Sequence, residues 1–393
     1  MSFSGLCNRK NLTDGIACAV FLLACVFLGN VELFKSPEPE AGEKERAVVL
    51  ETDDSDLQLI GGVMHIGSQA LRVRVETGRF AGKEFRAFNQ LRANLELDKV
   101  FAKGDSVLVG VPPEAVPGET VLTAQDHYRI GWSVLLFALF SMLLVAFAGM
   151  TGFKALVSFL FSCFAVWRLL VPLCLRGVSP LWACIACVFV LTAVIMFLVA
   201  GFSRKCLVAS SGAMLGVLFG CLFSLLFTRV FHVTGTVMPY SQVLLFSGFA
   251  HLNMQELFAG AVILASSGAV MDLGMDVAAG MEELARHRPD ITPRELFFSG
   301  LRIGQSVVGT MATTLLLAYS GGYLTLMMTF AAQGTRPVDF INNPFVAAEA
   351  VKTLIGSFSL ILVAPFTAGI GAWVFGNAAK GLATRRAKSV SSI

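Results

Sequence analysis

Asp272 and Asp276 stand one helical turn apart inside the apolar run GAVILASSGAVMDLGMDVAAGMEE, residues 260 to 283. Ionisable groups are costly at membrane depth and mark pathways, relays or paired contacts. Four residues apart on a helix, the two carboxylates point to nearly the same side. Like charges this close disfavour each other, so the pair suits sharing or passing a proton. The same geometry suits a cation with further oxygen ligands, or an arginine from a neighbouring helix.

The next apolar run supplies such a neighbour. In LRIGQSVVGTMATT (301 to 314), Arg302, Gln305, Gly309 and Thr313 follow a three-to-four spacing along one stripe, with Ser306 and Thr310 beside it. Arg302 is placed to reach Asp276, and Gln305 or Ser306 to reach Asp272. Two readings are open: a polar substrate or ion pathway through Asp272, Asp276, Arg302, Gln305, Thr310 and Thr313, or an ordinary interfacial acid at Asp276 paired with Arg302 to fix two helices. Ahead of the stripe, ITPREL has the form of a capped helix start, with Thr292 as cap, Pro293 first and Glu295 third. That start predicts a helix along the membrane surface before the chain turns inward. Glu349 and Lys352 open the last apolar run as an interfacial pair, with Glu349 placed to line an outer vestibule. Asn342, Asn343 and Pro344 ahead of them read as turn and cap.

Other reactive residue types do not assemble. His232 and His251 are nineteen residues apart with no acidic or Cys partner at ligand spacing, so no metal is expected. Of nine cysteines, none lies in the one large polar segment, and no disulfide framework follows. Cys184 and Cys187 form a C-x-x-C inside an apolar run and read as small packing residues. No G-x-x-x-x-G-K-[ST] and no H-E-x-x-H occurs. Two aspartates on one helix also do not suit a protease dyad, so no enzyme and no cofactor is expected.

The elements that hold these residues are set by composition. Of 393 residues, 55% are hydrophobic and 15% charged, against about 25% charged in soluble domains, which places the chain in the membrane class. Its 33 Phe and 37 Gly suit helices packing in lipid. The net charge of +3 is too small to imply a nucleic-acid partner. Residues 1 to 14 are polar, and 15 to 31 read as a retained first span, since the run continues past Cys25 and lacks a cleavage signal. Further apolar runs at 130–151, 153–172, 177–200, 206–228, 256–277, 303–323 and 350–376 are each near the ~20 residues that cross ~30 Å of hydrocarbon. The expectation is eight transmembrane helices in a polytopic all-α protein. Residues 129 to 376 form a seven-helix domain, and 377 to 393 a basic tail. Basic residues in alternate loops place both termini in the cytoplasm. GAMLGVLFG (212 to 220) sets Gly212, Gly216 and Gly220 on one side for close helix packing, a role also assigned to Gly309. Arg168, four residues before Pro172, is placed to snorkel or to be buried.

Residues 32 to 128 then form an extracytoplasmic segment: an acidic linker (36 to 45) and a small β domain. ALRVRVE (70 to 76), KEFRAF (83 to 88) and SVLVGV (106 to 111) are strand-like, separated by Gly78, Gly82, Asn89 and the turn KGD (103 to 105). About five strands predict an OB-like barrel or a sandwich. Such barrels can bind oligonucleotides. Here Arg72, Arg74, Arg79, Arg86 and Arg92 are mixed with acids and aromatics are few, so a structural or partner-docking domain is expected instead.

The block from GAVMDLGMDVAAGMEEL to LRIGQSVVGTMATTLLLAYSGGYL (268 to 323) resembles the YibE/F-like family of bacterial multi-pass membrane proteins. The resemblance extends to Glu349 and LVAPFTAGIGA (362 to 372), and to VETGRFAGKEFRAFNQL, KGDSVLVG and DHYRIG in the polar segment, so it covers most of residues 50 to 376. It implies several spans after an extracytoplasmic segment, with a transport or permease role suggested by architecture. The family's acidic motif falls on Asp272, Asp276 and Glu283, and its following span on Gly304, Gly309, Thr310, Thr314, Leu316 and Ala318. Family members tend to carry serines where this chain has Gly274, Asp276 and Ala279, and an acid or amide where it has Gln305. Asp272 is therefore the better candidate of the two acids. The reading that follows is a secondary transporter or permease-like protein of the bacterial inner membrane, with lipid and an unknown small solute or ion as partners. Its alternative is a non-transporting scaffold or assembly factor whose β domain docks a protein.

Overall fold

The computed structural model describes residues 3–31, 33–34 and 43–390, with side chains over 15–31, 33–34 and 43–376. The acidic linker at 36–42 and the basic side chains of the tail lie outside the described residues. The chain divides into two compact units, residues 35–143 and residues 1–34 with 144–393.

The smaller unit contains six strands: β1 (Glu43–Asp53), β2 (Gln58–Ile60), β3 (Met64–Val75), β4 (Glu84–Arg92), β5 (Ser106–Val111) and β6 (Val121–His127). Going round the sheet, β1 pairs with β5, β5 with β6, β6 with β4 (the one parallel pairing), β4 with β3, and β3 back with β1. Five strands therefore close on themselves, with β2 a hairpin extension of β3. This is a closed barrel rather than a two-sheet sandwich, in the strand order of an OB-like fold. Period-two alternation drives it. Along β4 every second residue is buried, and Val73, Val75, Phe85, Ala87, Val107, Val109 and Leu122 fill the interior.

Asn89, expected as a strand separator, instead points inward from the middle of β4. Its amide donates to the Lys99 carbonyl and to Gln69 Oε1. The fully buried Gln69 side chain both donates to and accepts from the Phe101 backbone. The two amides satisfy one another and the β4–β5 connection, which is what permits polar groups inside a small barrel. On the outside, Arg72 is paired with Glu51 at 2.8 Å and Arg46 with Glu76 at 2.8 Å.

The larger unit is helical. Helix α1 (Phe3–Asn30) is followed, after the barrel, by α2 (Ile130–Phe164, of which Leu144 onward belongs to this unit), α3 (Val171–Leu175), α4 (Pro180–Ala200), α5 (Arg204–Val230), α6 (Ser241–Leu244), α7 (Met254–His287), α8 (Pro293–Gly321), α9 (Leu324–Ala332), α10 (Pro337–Ile341) and α11 (Pro344–Val390). By length and composition, six helical stretches among the described residues can cross a membrane: Ile130–Leu175, Pro180–Ala200, Arg204–Val230, Met254–His287, Pro293–Gly321 and Pro344–Gly376. The apolar part of α1, Gly15–Asn30, is shorter.

The count differs from eight at two places: the short first helix, and the runs at 130–151 and 153–172, which join into one stretch. That stretch is broken at Gly149, whose φ of 56° and ψ of −130° are non-helical. A Cβ at Gly152 would lie 2.3 Å from the Leu144 carbonyl oxygen, although eight residues of straight helix would separate them by about 12 Å. The chain therefore bends back sharply there. Further on, the π-helical turn Ala165–Leu170 carries Arg168, half-buried, and precedes Pro172, whose missing N–H already interrupts the helical ladder.

The core of this unit is made by α5, α7 and α11, flanked by α4 and α8. Gly212, Gly216 and Gly220 all face α11. A Cβ on them would meet Thr367 Oγ1 at 2.1 Å, Val363 Cβ at 3.1 Å and Ser359 Oγ at 2.0 Å. Gly260 meets Cys184 in the same way, so the C-x-x-C pair serves as buried packing. Gly309 is different: a Cβ there meets nothing within 4 Å, because it lies on the exposed side of α8. It makes no close helix contact among the described residues.

Two expectations follow. Gly212→Ala forces α5 from α11 and should cost about 1–3 kcal/mol, the usual penalty of overpacking. Gly309→Ala should be neutral or stabilise by up to about 1 kcal/mol through helix propensity. Thermal unfolding of the detergent-solubilised chain separates the two. In the barrel, burial pushes the Asp126 carboxyl up, but hydrogen bonds from Arg129, Lys99 and the His127 N–H outweigh it, leaving it at about 2 against an ordinary 3.8. A depressed carboxyl stabilises the fold above its unfolded pKa and loses that contribution as pH falls through the folded one. The gap in unfolding temperature between wild type and Asp126→Asn should thus be full at pH 6 and close as pH drops from about 4 towards about 2. It should be modest, since the carboxylate is 35% exposed.

Candidate functional site

The start of α8 builds as its sequence dictates. The Thr292 side chain accepts from the Glu295 N–H, and the Glu295 carboxylate accepts from the Thr292 N–H, forming a capping box with Pro293 in the first turn. From there the helix runs without a break to Gly321. No separate surface helix precedes the span, because no helix breaker intervenes and Gly300 is tucked against Met281 of α7 and Ala368 of α11. At the other end of the hairpin, the Asn253 side chain accepts from the N–H groups of Gln255 and Glu256 and caps α7.

Contacts at Gly280 with Ile303, Gly300 with Met281, and Gly304 with Val277 and Ala364 set the faces of α7 and α8. Asp276 is one residue, about 100°, from Val277 on this wheel, and Asp272 is about 140° away. Both acids are consequently exposed, while Leu273 and Gly274 between them and Val277 and Ala278 after them are buried. Arg302 is two residues from Gly304, about 200° around α8, so it points away from the α7 contact. It is exposed and makes no ion pair with either aspartate. The pairing expected between Arg302 and Asp276 is therefore absent from the described contacts.

Gln305, Ser306, Thr310 and Thr313 are exposed on α8 as well. The hydroxyls of Ser306, Thr310 and Thr313 donate to the carbonyls of Ile303, Val307 and Gly309 at 2.7, 2.9 and 3.0 Å. Satisfied as donors by their own helix, they present acceptor oxygens outward. The structure thus leaves the sequence-selected residues of both α7 and α8 exposed, outside the helical core rather than within it.

A second constellation lies where α8 ends and α11 begins. The Asn343 side chain accepts from the Phe345 N–H and Pro344 sits in the first turn, so the expected cap positions α11. Glu349 and Lys352 follow three apart, with Lys352 Nζ at 3.2 and 3.4 Å from the two Glu349 oxygens. Their side chains are only 15% and 27% exposed, so this pair is more enclosed than a typical interfacial one. The same ammonium lies 4.9 Å from the Tyr319 ring centroid and 5.8 Å from that of Tyr323. Gly321 and Gly322 break the chain between α8 and α9, and so bring both rings to one lysine. Cavities of about 320 and 330 Å3 adjoin the group, and both are lined by Glu349 and Tyr323. Neither tyrosine stands out in the sequence. Their four-residue spacing across a Gly-Gly break is the only local signal.

Among the described residues, no group of three or more His, Cys, Asp or Glu comes together to hold a metal. No curated protein and no solved structure matched the chain. A family model, YibE/F-like protein, matches residues 136–377. The match takes in the α7–α8 hairpin, Tyr319, Tyr323, Glu349 and Lys352, and leaves the β barrel outside it. With well over half of its length matched and six helical stretches able to cross a bilayer, the chain is a multi-pass membrane protein and belongs to the YibE/F-like family.

Proposed function

We propose that this protein is a secondary transporter or permease-like protein of the bacterial inner membrane, not an enzyme, and that Asp272 is the residue that handles its solute or coupling ion. The observation that carries the reading is the exposure of polar side chains on both α7 and α8. Asp272, Asp276, Arg302, Gln305, Thr310 and Thr313 are all exposed there on helices of membrane-crossing length. A charged side chain at mid-bilayer costs about 2.5–3.5 kcal/mol on insertion scales and usually faces a polar pathway. On this reading the hairpin lines such a pathway, with Asp276 and Arg302 as gate residues and Gln305, Thr310 and Thr313 as polar lining.

Both termini are cytoplasmic in the proposed topology, by the distribution of basic loops. Eight crossings are accommodated if α1 spans and the stretch 130–175 crosses twice. That stretch is about 69 Å long as helix, twice the ~30 Å of hydrocarbon, and is broken near its middle at Gly149. Glu349 then lines an outer vestibule.

The scaffold alternative is favoured by one feature of the barrel. Leu59, Ile60 and Val63 on the β2–β3 hairpin, with Leu95 and Leu97, are exposed apolar side chains suited to a protein partner.

Flux in proteoliposomes across a panel of ions and small solutes decides between them. A transported solute should appear in the panel. Asp272→Asn should lower its initial rate about tenfold or more, each factor of ten corresponding to about 1.4 kcal/mol. Flux untouched by the substitution would remove Asp272 from the pathway. No flux for any solute, with the protein shown to be inserted and folded, favours the scaffold.

A further inference from the structure

The enclosed lysine at the start of α11 behaves unlike a surface one. Lysines near helix ends usually extend their ammonium towards water. Lys352 instead folds its head onto Glu349 and against the faces of Tyr319 and Tyr323. Aromatic faces carry negative charge density and attract cations, and rings placed around an ammonium form the cages that recognise substituted amines. A carboxylate completes this cage.

The surroundings favour exchange of that ammonium for a ligand. A cavity of about 320 Å3, at the low end of small-molecule sites, adjoins the cage and is lined mainly by Leu316, Leu326, Met327, Phe340 and Leu354. Tyr319 also lines it, and its hydroxyl is buried with no hydrogen-bond partner among the described residues. A buried hydroxyl without a partner calls for an explanation. Glu349 limits what can enter. Its side chain is 15% exposed and also shares a hydrogen bond with the Tyr323 hydroxyl; a displacing group that brings a positive charge is favoured, because an enclosed carboxylate left without an ion partner is strongly unfavourable.

We infer that Tyr319, Tyr323 and Glu349 form a binding site for an organic ammonium ion with an apolar body, and that Lys352 is a tethered competitor occupying the cage when no ligand is bound. The ammonium takes the position of Lys352 Nζ, the apolar body fills the adjoining cavity, and Lys352 swings out on its flexible stem. Because only the opened fraction of the protein binds, the tether lowers apparent affinity in proportion to its occupancy. Placing the site at the mouth of a pathway rests on the transport reading, but ammonium binding does not.

Equilibrium titration of the detergent-purified full-length chain with benzyltrimethylammonium, followed by calorimetry, tests the inference without any gradient. Wild type should bind weakly. Lys352→Met keeps the stem and vacates the cage, so it should bind about tenfold or more tighter, each tenfold being about 1.4 kcal/mol. Adding Glu349→Gln to that variant should abolish the gain. If Lys352→Met, shown folded by circular dichroism and gel filtration, binds no tighter than wild type, the inference fails. Should that variant not fold, Tyr319→Leu and Tyr323→Leu in the wild-type background each remove one face of the cage. Each should weaken binding about fivefold, in line with a desolvated cation–π contact of 1 kcal/mol or more, and binding unchanged by both overturns the site. Ammonium binding without flux of any solute would sink the transport reading alone. Flux with no ammonium binding would sink this inference alone.

Discussion

The close approach of α5 to α11 is the contact on which the rest of the helical unit depends. Lipid tails are as apolar as leucine, so burying hydrophobic side chains against one another gains little in a bilayer. Helices hold together there by van der Waals contact and by polar contacts between them. Gly212, Gly216 and Gly220 remove every side chain from one stripe of α5, and Thr367, Val363 and Ser359 of α11 occupy the space. Helix α7 then packs into the groove the pair makes, with Gly274 3.2 Å from the Ala209 carbonyl oxygen when given a Cβ. The position of both polar constellations follows from this seam. The side of α7 that meets α5 and α11 is filled with small and apolar residues, which leaves Asp272 and Asp276 only the opposite side.

The distribution of polarity in the hairpin is that of a soluble bundle, although its helices are of membrane-crossing length. Residues buried against the core are mostly small or apolar, with Ser266 and Ser267 among them, and the exposed ones include carboxylates, a guanidinium, an amide and hydroxyls. In water that arrangement would be ordinary amphipathicity. On helices of membrane-crossing length it places polar groups where hydrocarbon would otherwise be, which is why the surface is read as a pathway. The enclosed cage at the start of α11 is the complement: a charged pair and two tyrosines drawn inward beside apolar cavities. One site is polar and open, the other mostly apolar with a single ion pair.

The barrel obeys separate rules. Its closure leaves no free edge among the five main strands, and its interior tolerates Gln69 and Asn89 because they satisfy each other and the backbone around Phe101 and Lys99. Three of its arginines are drawn into ion pairs or backbone contacts: Arg46 to Glu76, Arg72 to Glu51 and Arg79 to the Pro113 carbonyl.

Much of this was legible in the residues alone. Hydropathy announced the membrane class, period-two alternation gave β3, β4 and β5, and Thr292-Pro-x-Glu295 and Asn343-Pro344 announced two helix starts. Each of these depends on neighbours in sequence, so composition and spacing suffice. The doubled G-x-x-x-G was legible as a packing stripe for the same reason, although its partner helix was not. What tertiary structure alone decided was direction. Asn89 turned inward because β4 alternates about a closed barrel, and Gly309 turned outward because Gly300 and Gly304 are the glycines of α8 that meet α11. Arg302 was carried away from Asp276 by the two-residue step, about 200° on a helix, that separates it from that contact. Tyr319 and Tyr323 met Lys352 only because a Gly-Gly break and the start of α11 fold to the same place. Sequence spacing determines which residues share a side of one helix. Which side faces a neighbour is set by the packing of several helices at once, and for Asp272 and Asp276 that packing decided that they look outward.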